Sequence, residues 1–357
     1  MVINMKWEEN VRKVVPYVAG EQPNRPNMIK LNTNECPYPP APGVRKAAEN
    51  MESAALRLYP NSNAQPLVDE LAAYYGVKPE QVFVGVGSDD VLSMAFLTFF
   101  NSGKPVLFPD VTYSFYDVWA DLYRIPYHTC ALDENWHMNP EDYKQPNGGV
   151  IFPNPNAPTG VEESQAMIEE ILQANPDVVV IVDEAYVDFG GTSALPLLKK
   201  YENLLVVQTF SKSRAMAGMR IGFGIGNEKL IHYLNDVKFS FNSYTMNLPS
   251  QVMGVEAVRD DAYFKATTAK IVATRERIKK ELNELGFTFP DSKANFIFAS
   301  HKEVPAEELF RALREADIYV RHWNKPRIAN SLRISVGTDE EMDRLIAFLK
   351  EYLEKRV

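Results

Sequence analysis

The feature that most limits how this chain folds is an alternation of short apolar runs with helical patterns through its middle. Six runs rich in β-branched and aromatic residues predict strands at residues 81–87, 104–109, 149–155, 178–185, 203–210 and 220–226. Between several of them lie segments, such as residues 89–100 and 162–175, whose apolar side chains recur at intervals of three and four. Strands that are apolar on both faces and joined by helices predict an α/β fold with a doubly wound, mostly parallel sheet.

The C-terminal third has a pattern of its own, which predicts a second and smaller domain. From about Pro249 to Leu285 an apolar and charged pattern without an internal proline predicts one long helix that leaves the sheet domain. Shorter strands and helices follow, and a closing helix begins at Asp339. We therefore expect an N-terminal arm at 1–30 that joins the small domain, a large domain at 31–248, and a connecting helix with a small α+β domain at 249–357.

Charge and cysteine content argue against several classes of protein. A formal charge of −9 disfavours a nucleic-acid or anionic membrane surface. The two cysteines, Cys36 and Cys130, lie far apart, and the five histidines show no ligand spacing, so neither a disulfide framework nor a metal site is predicted. The N-terminus is charged where a signal peptide is apolar, and no apolar run is long enough to span a bilayer. We expect a cytoplasmic protein with small-molecule ligands.

The segment VGVGSDDVL follows the first predicted strand and has the composition of an anion-binding turn. Gly85 and Gly87 permit a tight turn, and Ser88 or Asp89 can cap the helix whose first N–H groups then point outward. Asp90 stands where the dinucleotide fingerprint needs a third glycine, so a nicotinamide site is disfavoured. An ordinary strand-to-helix turn remains the alternative.

Asp183 ends the wholly apolar run VVVIVD, where a carboxylate is costly unless a cation or a protonated ring nitrogen awaits it. A strand end that reaches solvent is the alternative. A glycosidase pair of Asp183 with Glu184 is disfavoured, because adjacent strand residues point to opposite faces.

Lys212 lies in TFSKSRAMAGMRIGF, directly after a predicted strand, and Arg220 returns on the next one. A nucleophilic lysine has to be held in place and partly desolvated near other positive charge. The hydroxyls of Thr209 and Ser211 and the guanidinium of Arg220 suit a phosphate. The alternative is a surface lysine in a polar loop.

In this order, the glycine turn, FPNPNAPTG, the strand ending in DEAY, and the Ser-Lys followed by Arg resemble the fold-type I pyridoxal-phosphate aminotransferases. More narrowly, the chain is similar to the histidinol-phosphate aminotransferases, from LNTNECPYPP and LRLYP to SLRISVG near its end. The resemblance implies pyridoxal 5'-phosphate as cofactor and a large domain with a mostly parallel sheet between helices, beside a smaller α+β domain.

The same resemblance implies roles around the cofactor. Lys212 would hold it covalently and move a proton between substrate and cofactor, and Asp183 would pair with its ring nitrogen. Tyr186 would hydrogen-bond the ring hydroxyl oxygen, and Tyr113 would stack on the ring. Its phosphate would be held by Ser211, Arg220 and the backbone around Ser88 and Asp89, beside the hydroxyl of Thr209. Tyr59 in LRLYP would reach that phosphate from the neighbouring subunit, which implies a homodimer.

One position departs from the family's pattern. Ala157 stands where the family has an asparagine that contacts the ring hydroxyl. Either Asn156 takes that place through a small backbone shift, or Tyr186 acts alone.

Substrate contacts are likewise implied by resemblance. Arg333 matches the arginine that holds a substrate anion, and Arg321 matches a second arginine of the histidinol-phosphate enzymes. Tyr17, Tyr244 and Asn34 also stand at family positions. Such a set suits both glutamate and a phosphate-bearing amine. For either arginine, an exposed structural role is the alternative.

The expected reaction moves an amino group between L-glutamate and imidazole-acetol phosphate, which yields L-histidinol phosphate and 2-oxoglutarate in histidine biosynthesis. Three alternatives stay open: an aromatic amino-acid aminotransferase, a phospho-amino-acid decarboxylase, and a non-catalytic ligand-binding module. The last is disfavoured by the charge, by the lack of an N-terminal helix-turn-helix extension, and by the presence of Lys212.

Overall fold

The structure, a computed structural model, describes residues 6–356, and the side chains of residues 7–356. The first five residues of the expected arm and the last residue of the expected C-terminal domain lie outside the described residues. The strands are β1 (Ile29–Lys30), β2 (Val82–Gly85), β3 (Val106–Pro109), β4 (Tyr127–Cys130), β5 (Gly149–Pro153), β6 (Val180–Asp183), β7 (Leu204–Thr209), β8 (Gly222–Gly226), β9 (Phe287–Thr288), β10 (Phe296–His301), β11 (Ile318–Tyr319), β12 (Arg321–His322) and β13 (Leu332–Ser335). The α-helices are α1 (Pro42–Glu49), α2 (Gln65–Tyr75), α3 (Ser88–Phe99), α4 (Tyr116–Tyr123), α5 (Gln165–Ala174), α6 (Glu228–Phe241), α7 (Leu248–Arg259), α8 (Asp261–Glu284), α9 (Ala306–Glu315) and α10 (Asp339–Glu354).

A seven-stranded sheet in the order β2-β8-β7-β6-β5-β3-β4 forms the centre of the larger part of the molecule. Its strands run parallel except β8, which is antiparallel to both neighbours. Alternate side chains of β5 face opposite layers: Ile151 packs in the cluster with α3 and α4, whereas Val150 and Phe152 pack in the cluster with α5. The predicted mostly parallel sheet between helices is confirmed.

The seventh strand of this sheet, β4, was not among the six that the apolar runs predict. It is an edge strand next to β3, and of its four residues only Cys130 is buried. Most side chains of β4, whose sequence is YHTC, face solvent, so the strand has no apolar run that would predict it.

The expected single helix from Pro249 to Leu285 is wrong, because the structure breaks it at Asp260. The backbone of Asp260 leaves the helical conformation at φ −86° and ψ 59°. Its side chain accepts a hydrogen bond from the backbone N–H of Tyr263 and so caps α8. An aspartate that satisfies a free N–H can start a new helix where no proline marks a boundary.

A second sheet, antiparallel and in the order β12-β13-β10-β9, packs with α8, α9 and α10. The short strand β1 pairs in parallel with β11, and Ile29 and Leu31 enter the same core. The segment at β1 therefore contacts the C-terminal elements directly. The boundaries of the domains stay a prediction. Along residues 6–356 no helix is both long and apolar enough to span a membrane.

Candidate active site

Two adjoining cavities lie where the strands of the large sheet end. The inner cavity has a volume of about 100 Å³ and the outer cavity about 370 Å³. Tyr113, Ala157, Tyr186 and Lys212 line both of them. The inner cavity brings together six further residues that the sequence marked: Ser88, Asp89, Asp183, Thr209, Ser211 and Arg220.

Asp183 is the last residue of β6 and its side chain lies in the wall of the inner cavity, where it is buried. Its carboxylate accepts hydrogen bonds from the Tyr116 hydroxyl at 2.9 Å and from the Ala185 backbone N–H at 3.2 Å. Burial raises the pKa of this carboxyl to about 7, although the hydrogen bond from Tyr116 opposes the shift. A cation placed beside it would stabilise the charged form. The site is therefore suited to a protonated ring nitrogen.

Lys212 lies just after the end of β7, and its side chain lines both cavities. Its Nζ donates a hydrogen bond to the Thr33 carbonyl at 3.0 Å and lies 5.8 Å from the centroid of the Tyr186 ring. The amine thus lies between the two parts of the molecule, one contributing Tyr186 and the other the segment after β1.

Arg220 and the N-terminus of α3 form a candidate anion site in the inner cavity. Gly87 has a φ of +91°, and a Cβ added there would lie 2.4 Å from Nη2 of Arg220. The Arg220 guanidinium donates hydrogen bonds to Ser211 Oγ at 3.4 Å and to Asp89 Oδ2 at 3.3 Å. Helix N-termini and a nearby arginine together attract phosphate.

Tyr113 lines both the inner and the outer cavity. Its hydroxyl donates a hydrogen bond to Asp89 Oδ1 at 2.7 Å. Burial raises its pKa well above the usual range, and the Asp89 charge adds to the shift, so the phenol keeps its proton. Its aromatic ring is an apolar surface beside the space between Asp183 and Lys212.

Two arginines of the small sheet line the outer cavity. Arg333 donates from Nη2 to the Asn32 carbonyl at 3.0 Å, but its buried Nε has no hydrogen-bond partner among the described residues. Burial lowers its pKa, and the charge of Arg321 acts in the same direction. Both guanidinium groups lie over the ring of Trp323, at 5.1 and 5.3 Å from its centroid. Arg333 is half-buried and lines the cavity together with Arg321, so the two guanidinium groups can hold an anion there.

Tyr17 and Asn34 also line the outer cavity. The ring of Tyr17 stacks on that of Phe115 with centroids 4.1 Å apart, so the N-terminal segment lies across the cavity wall. These two residues therefore line the same cavity as the two arginines.

Three sequence-marked residues lie outside the cavity walls. Asn156 is buried in its turn, where its amide donates to the Val111 carbonyl and to Thr159 Oγ1, both at 3.0 Å. The expectation that Asn156 takes the place vacated at Ala157 is therefore corrected, because its side chain is used by the turn itself. Tyr59 and Tyr244 lie together on the surface, with ring centroids 4.7 Å apart, and neither lines the inner or the outer cavity.

Sequence reasoning missed several groups that complete the site. Tyr116, which bonds Asp183, stands three residues after Tyr113 in TYSFY, and that spacing is the one signal of its role. Arg327 and Asp110 form an ion pair across the outer cavity. They are 217 residues apart in the chain, and no local pattern connects them.

The family model "Aminotransferase class I and II" matches residues 26–349. A histidinol-phosphate aminotransferase of Lactococcus lactis subsp. cremoris is 52% identical over 352 residues, which cover 99% of each chain. One of Clostridium botulinum is 48% identical over 349 residues, which cover 98% of this chain and 99% of that one.

Among solved structures, histidinol-phosphate aminotransferase from Sinorhizobium meliloti in complex with pyridoxal-5'-phosphate superimposes with a TM-score of 0.83. It is 23% identical, and the match covers 92% of both chains, so it confirms the fold. Together the family model and the relatives at about half identity confirm the resemblance stated from the motifs. The chain belongs to the class I and II aminotransferase family.

Proposed function

We propose that the protein is a histidinol-phosphate transaminase that uses pyridoxal 5'-phosphate and moves an amino group between L-glutamate and imidazole-acetol phosphate. The observation that carries the proposal is that two arginines, Arg321 and Arg333, line the same cavity as Lys212. The names of the relatives at 52% and 48% identity support the same reaction.

The residues present fit the cofactor. A phosphate suits the cradle of Gly87, Ser211 and Arg220, which an added Cβ at Gly87 would fill. A protonated pyridine nitrogen suits Asp183, because burial raises the pKa of this carboxyl to about 7 and a cation beside it would favour the charged form. An aromatic ring suits the space beside Tyr113 between these two ends.

When bound, the cofactor supplies an electron sink that stabilises negative charge on the substrate carbon. Asp183 would keep the ring nitrogen protonated, and Tyr116 holds Asp183 in place. Lys212 lines both cavities and would hold and move the proton of the substrate carbon. Tyr186, which also lines both cavities, would donate a hydrogen bond to the ring oxygen.

Substrate anions are held in the outer cavity. The guanidinium groups of Arg333 and Arg321 would donate hydrogen bonds to a carboxylate or phosphate there, and Tyr17 lines the same cavity. Each half-reaction uses the same lysine, so the two substrates occupy the cavity one after the other. The carboxylate of glutamate and the phosphate of the amine would therefore be held in turn at the same site.

The active unit in this proposal is a homodimer. Tyr59 is 82% exposed and stacks on the exposed Tyr244, and Leu56, Leu58 and Phe241 nearby in the chain are also exposed. An exposed aromatic pair with adjacent apolar residues is typical of an interface. In the dimer Tyr59 and Tyr244 would reach the partner's site. A cytoplasmic location stays a prediction from the sequence.

The test is transamination by the purified protein loaded with pyridoxal phosphate, with 2-oxoglutarate as acceptor. We expect L-histidinol phosphate to have a kcat/KM at least about tenfold above that of L-histidinol, which lacks the phosphate, because a charged hydrogen bond contributes about 1.5–3 kcal/mol. A higher kcat/KM for phenylalanine than for L-histidinol phosphate would instead assign the protein to aromatic amino acids.

A further inference from the structure

Asn34 is held by the C-terminal part of the molecule and reaches the site from there. It follows β1, is 1% exposed and has a φ of +56°. Its backbone N–H donates to Ser335 Oγ and its Oδ1 accepts from the same hydroxyl, each at 2.9 Å. Its carbonyl accepts from Asn295 Nδ2 at 2.9 Å. These contacts fix the orientation of the amide.

The remaining polar group of Asn34, the Nδ2 amide, donates to the hydroxyl oxygen of Tyr186 at 3.0 Å. An amide N–H can donate but cannot accept. The Tyr186 oxygen therefore acts as the acceptor in this contact, and its own proton stays available for another acceptor. Tyr186 lines both cavities, so that proton can be directed to a group bound there.

Position 157 has no amide to offer. Ala157 is buried in the wall of both cavities, and the amide of the neighbouring Asn156 is used by its own turn. The amide that contacts Tyr186 comes instead from a residue that is 152 positions away in the chain.

We propose that Asn34 is a positioning residue that makes Tyr186 a hydrogen-bond donor toward the ring oxygen of the cofactor, and that it replaces the amide absent at position 157. The inference rests on the proposed function, since it concerns the same cofactor. It assigns Asn34 a role other than the substrate contact expected from the sequence.

Asn34→Asp tests the proposal, because the side chain keeps its shape and tolerates the positive φ but cannot donate to Tyr186. The Tyr186 proton would then turn toward the new carboxylate. We expect the affinity of the cofactor-free protein for pyridoxal phosphate to fall about three- to tenfold, the range of one hydrogen bond. We expect the pKa of the visible absorbance band of the loaded enzyme to rise by about half a unit to one unit, because the lost hydrogen bond stabilised the deprotonated form of the bound cofactor.

A second variant removes the amide without adding a charge. Asn34→Gly fits the positive φ and should raise the pKa of the band in the same direction. Adding Ala157→Asn to this variant should return the pKa toward the wild-type value, since it restores an amide beside the ring oxygen.

Ser335→Ala removes the two hydrogen bonds that orient the Asn34 amide, so we expect its band to shift in the same direction by a smaller amount. Asn147→Asp, at a buried asparagine that lines neither cavity, is the control, and its band should titrate as in the wild type. Unchanged affinity and unchanged pKa in both Asn34 variants, or an equal pKa shift in Asn147→Asp, would overturn the proposal. The wild-type protein distinguishes failure of this inference from failure of the proposed function. If the wild type gives no visible band with pyridoxal phosphate, the proposed function is refuted.

Discussion

The hydroxyl of Tyr116 donates a 2.9 Å hydrogen bond to Oδ2 of Asp183, and both side chains are buried. The bond opposes the effect of burial, which raises the pKa of Asp183 to about 7. Tyr116 therefore favours the charged carboxylate that a protonated ring nitrogen needs. Because this pKa lies near neutrality, cofactor binding should depend on pH.

Tyr116→Phe should move that pH dependence. In the wild type we expect the affinity for pyridoxal phosphate to fall as the pH drops through about 7, where Asp183 takes up a proton. Loss of the hydrogen bond raises the pKa of Asp183, so the midpoint should move to higher pH by about one to two units. Dissociation constants measured from pH 5.5 to pH 9.5 give both midpoints. A midpoint that stays in place would show that Tyr116 does not tune Asp183.

Lys212→Ala should abolish transamination while cofactor binding persists. Loss of the proton-transferring amine should lower kcat by at least about a hundredfold to ten-thousandfold. Asp183 and Arg220 remain, so pyridoxal phosphate should still bind noncovalently and be removed by dialysis. Single-turnover assays with glutamate measure the loss, and Lys229→Ala, an exposed lysine outside both cavities, is the control. Wild-type rates in the Lys212 variant would contradict the mechanism.

Gly87→Ala should damage the phosphate cradle. The new Cβ would lie 2.4 Å from Nη2 of Arg220, on a backbone with a φ of +91°. We expect at least about a tenfold loss of affinity for pyridoxal phosphate, and a fall of about 1–3 kcal/mol in the free energy of unfolding of the cofactor-free protein from the backbone strain. Gly218→Ala is the control, because a Cβ there meets no atom within 4 Å. Equal affinities in the two variants would argue against a phosphate at this end of the cavity.

Arg321→Ala should act on one substrate more than on the other. If Arg321 contacts the phosphate of L-histidinol phosphate, its removal should raise KM for that substrate by about ten- to a hundredfold, the value of a charged hydrogen bond. The KM for phenylalanine, which carries no phosphate, should change far less. Arg311→Ala, an exposed arginine on α9, is the control. An equal rise for both amines would assign Arg321 to the shared carboxylate instead.

Mixing two defective variants tests whether Tyr59 acts across the dimer. Tyr59→Ala should weaken activity about tenfold or more through loss of a hydrogen bond to the cofactor phosphate. In a heterodimer of Tyr59→Ala with Lys212→Ala, one site then receives both wild-type residues, so activity should rise on mixing and refolding. If Tyr59 serves its own protomer, each site keeps one defect and mixing yields no gain. Sedimentation of the wild type measures the dimer directly.

Local sequence patterns predicted much of the large sheet. Apolar runs marked six of its seven strands because those strands are buried on both faces. The edge strand β4 was missed because most of its side chains face solvent. The break at Asp260 was missed because an aspartate cap resembles any other acidic residue inside a charged helix.

The sequence by itself determined where Asp183, Lys212 and the Gly87 turn stand relative to the strand ends, since burial and backbone preference are local properties of neighbouring residues. Only the tertiary structure decided which distant group completes each of them. In it, Asn34 donates a hydrogen bond to Tyr186, Tyr116 donates one to Asp183, and the Thr33 carbonyl accepts one from Lys212. Such pairs depend on how separate elements pack, and a hydrogen bond between residues far apart in the chain leaves no periodic trace in either segment.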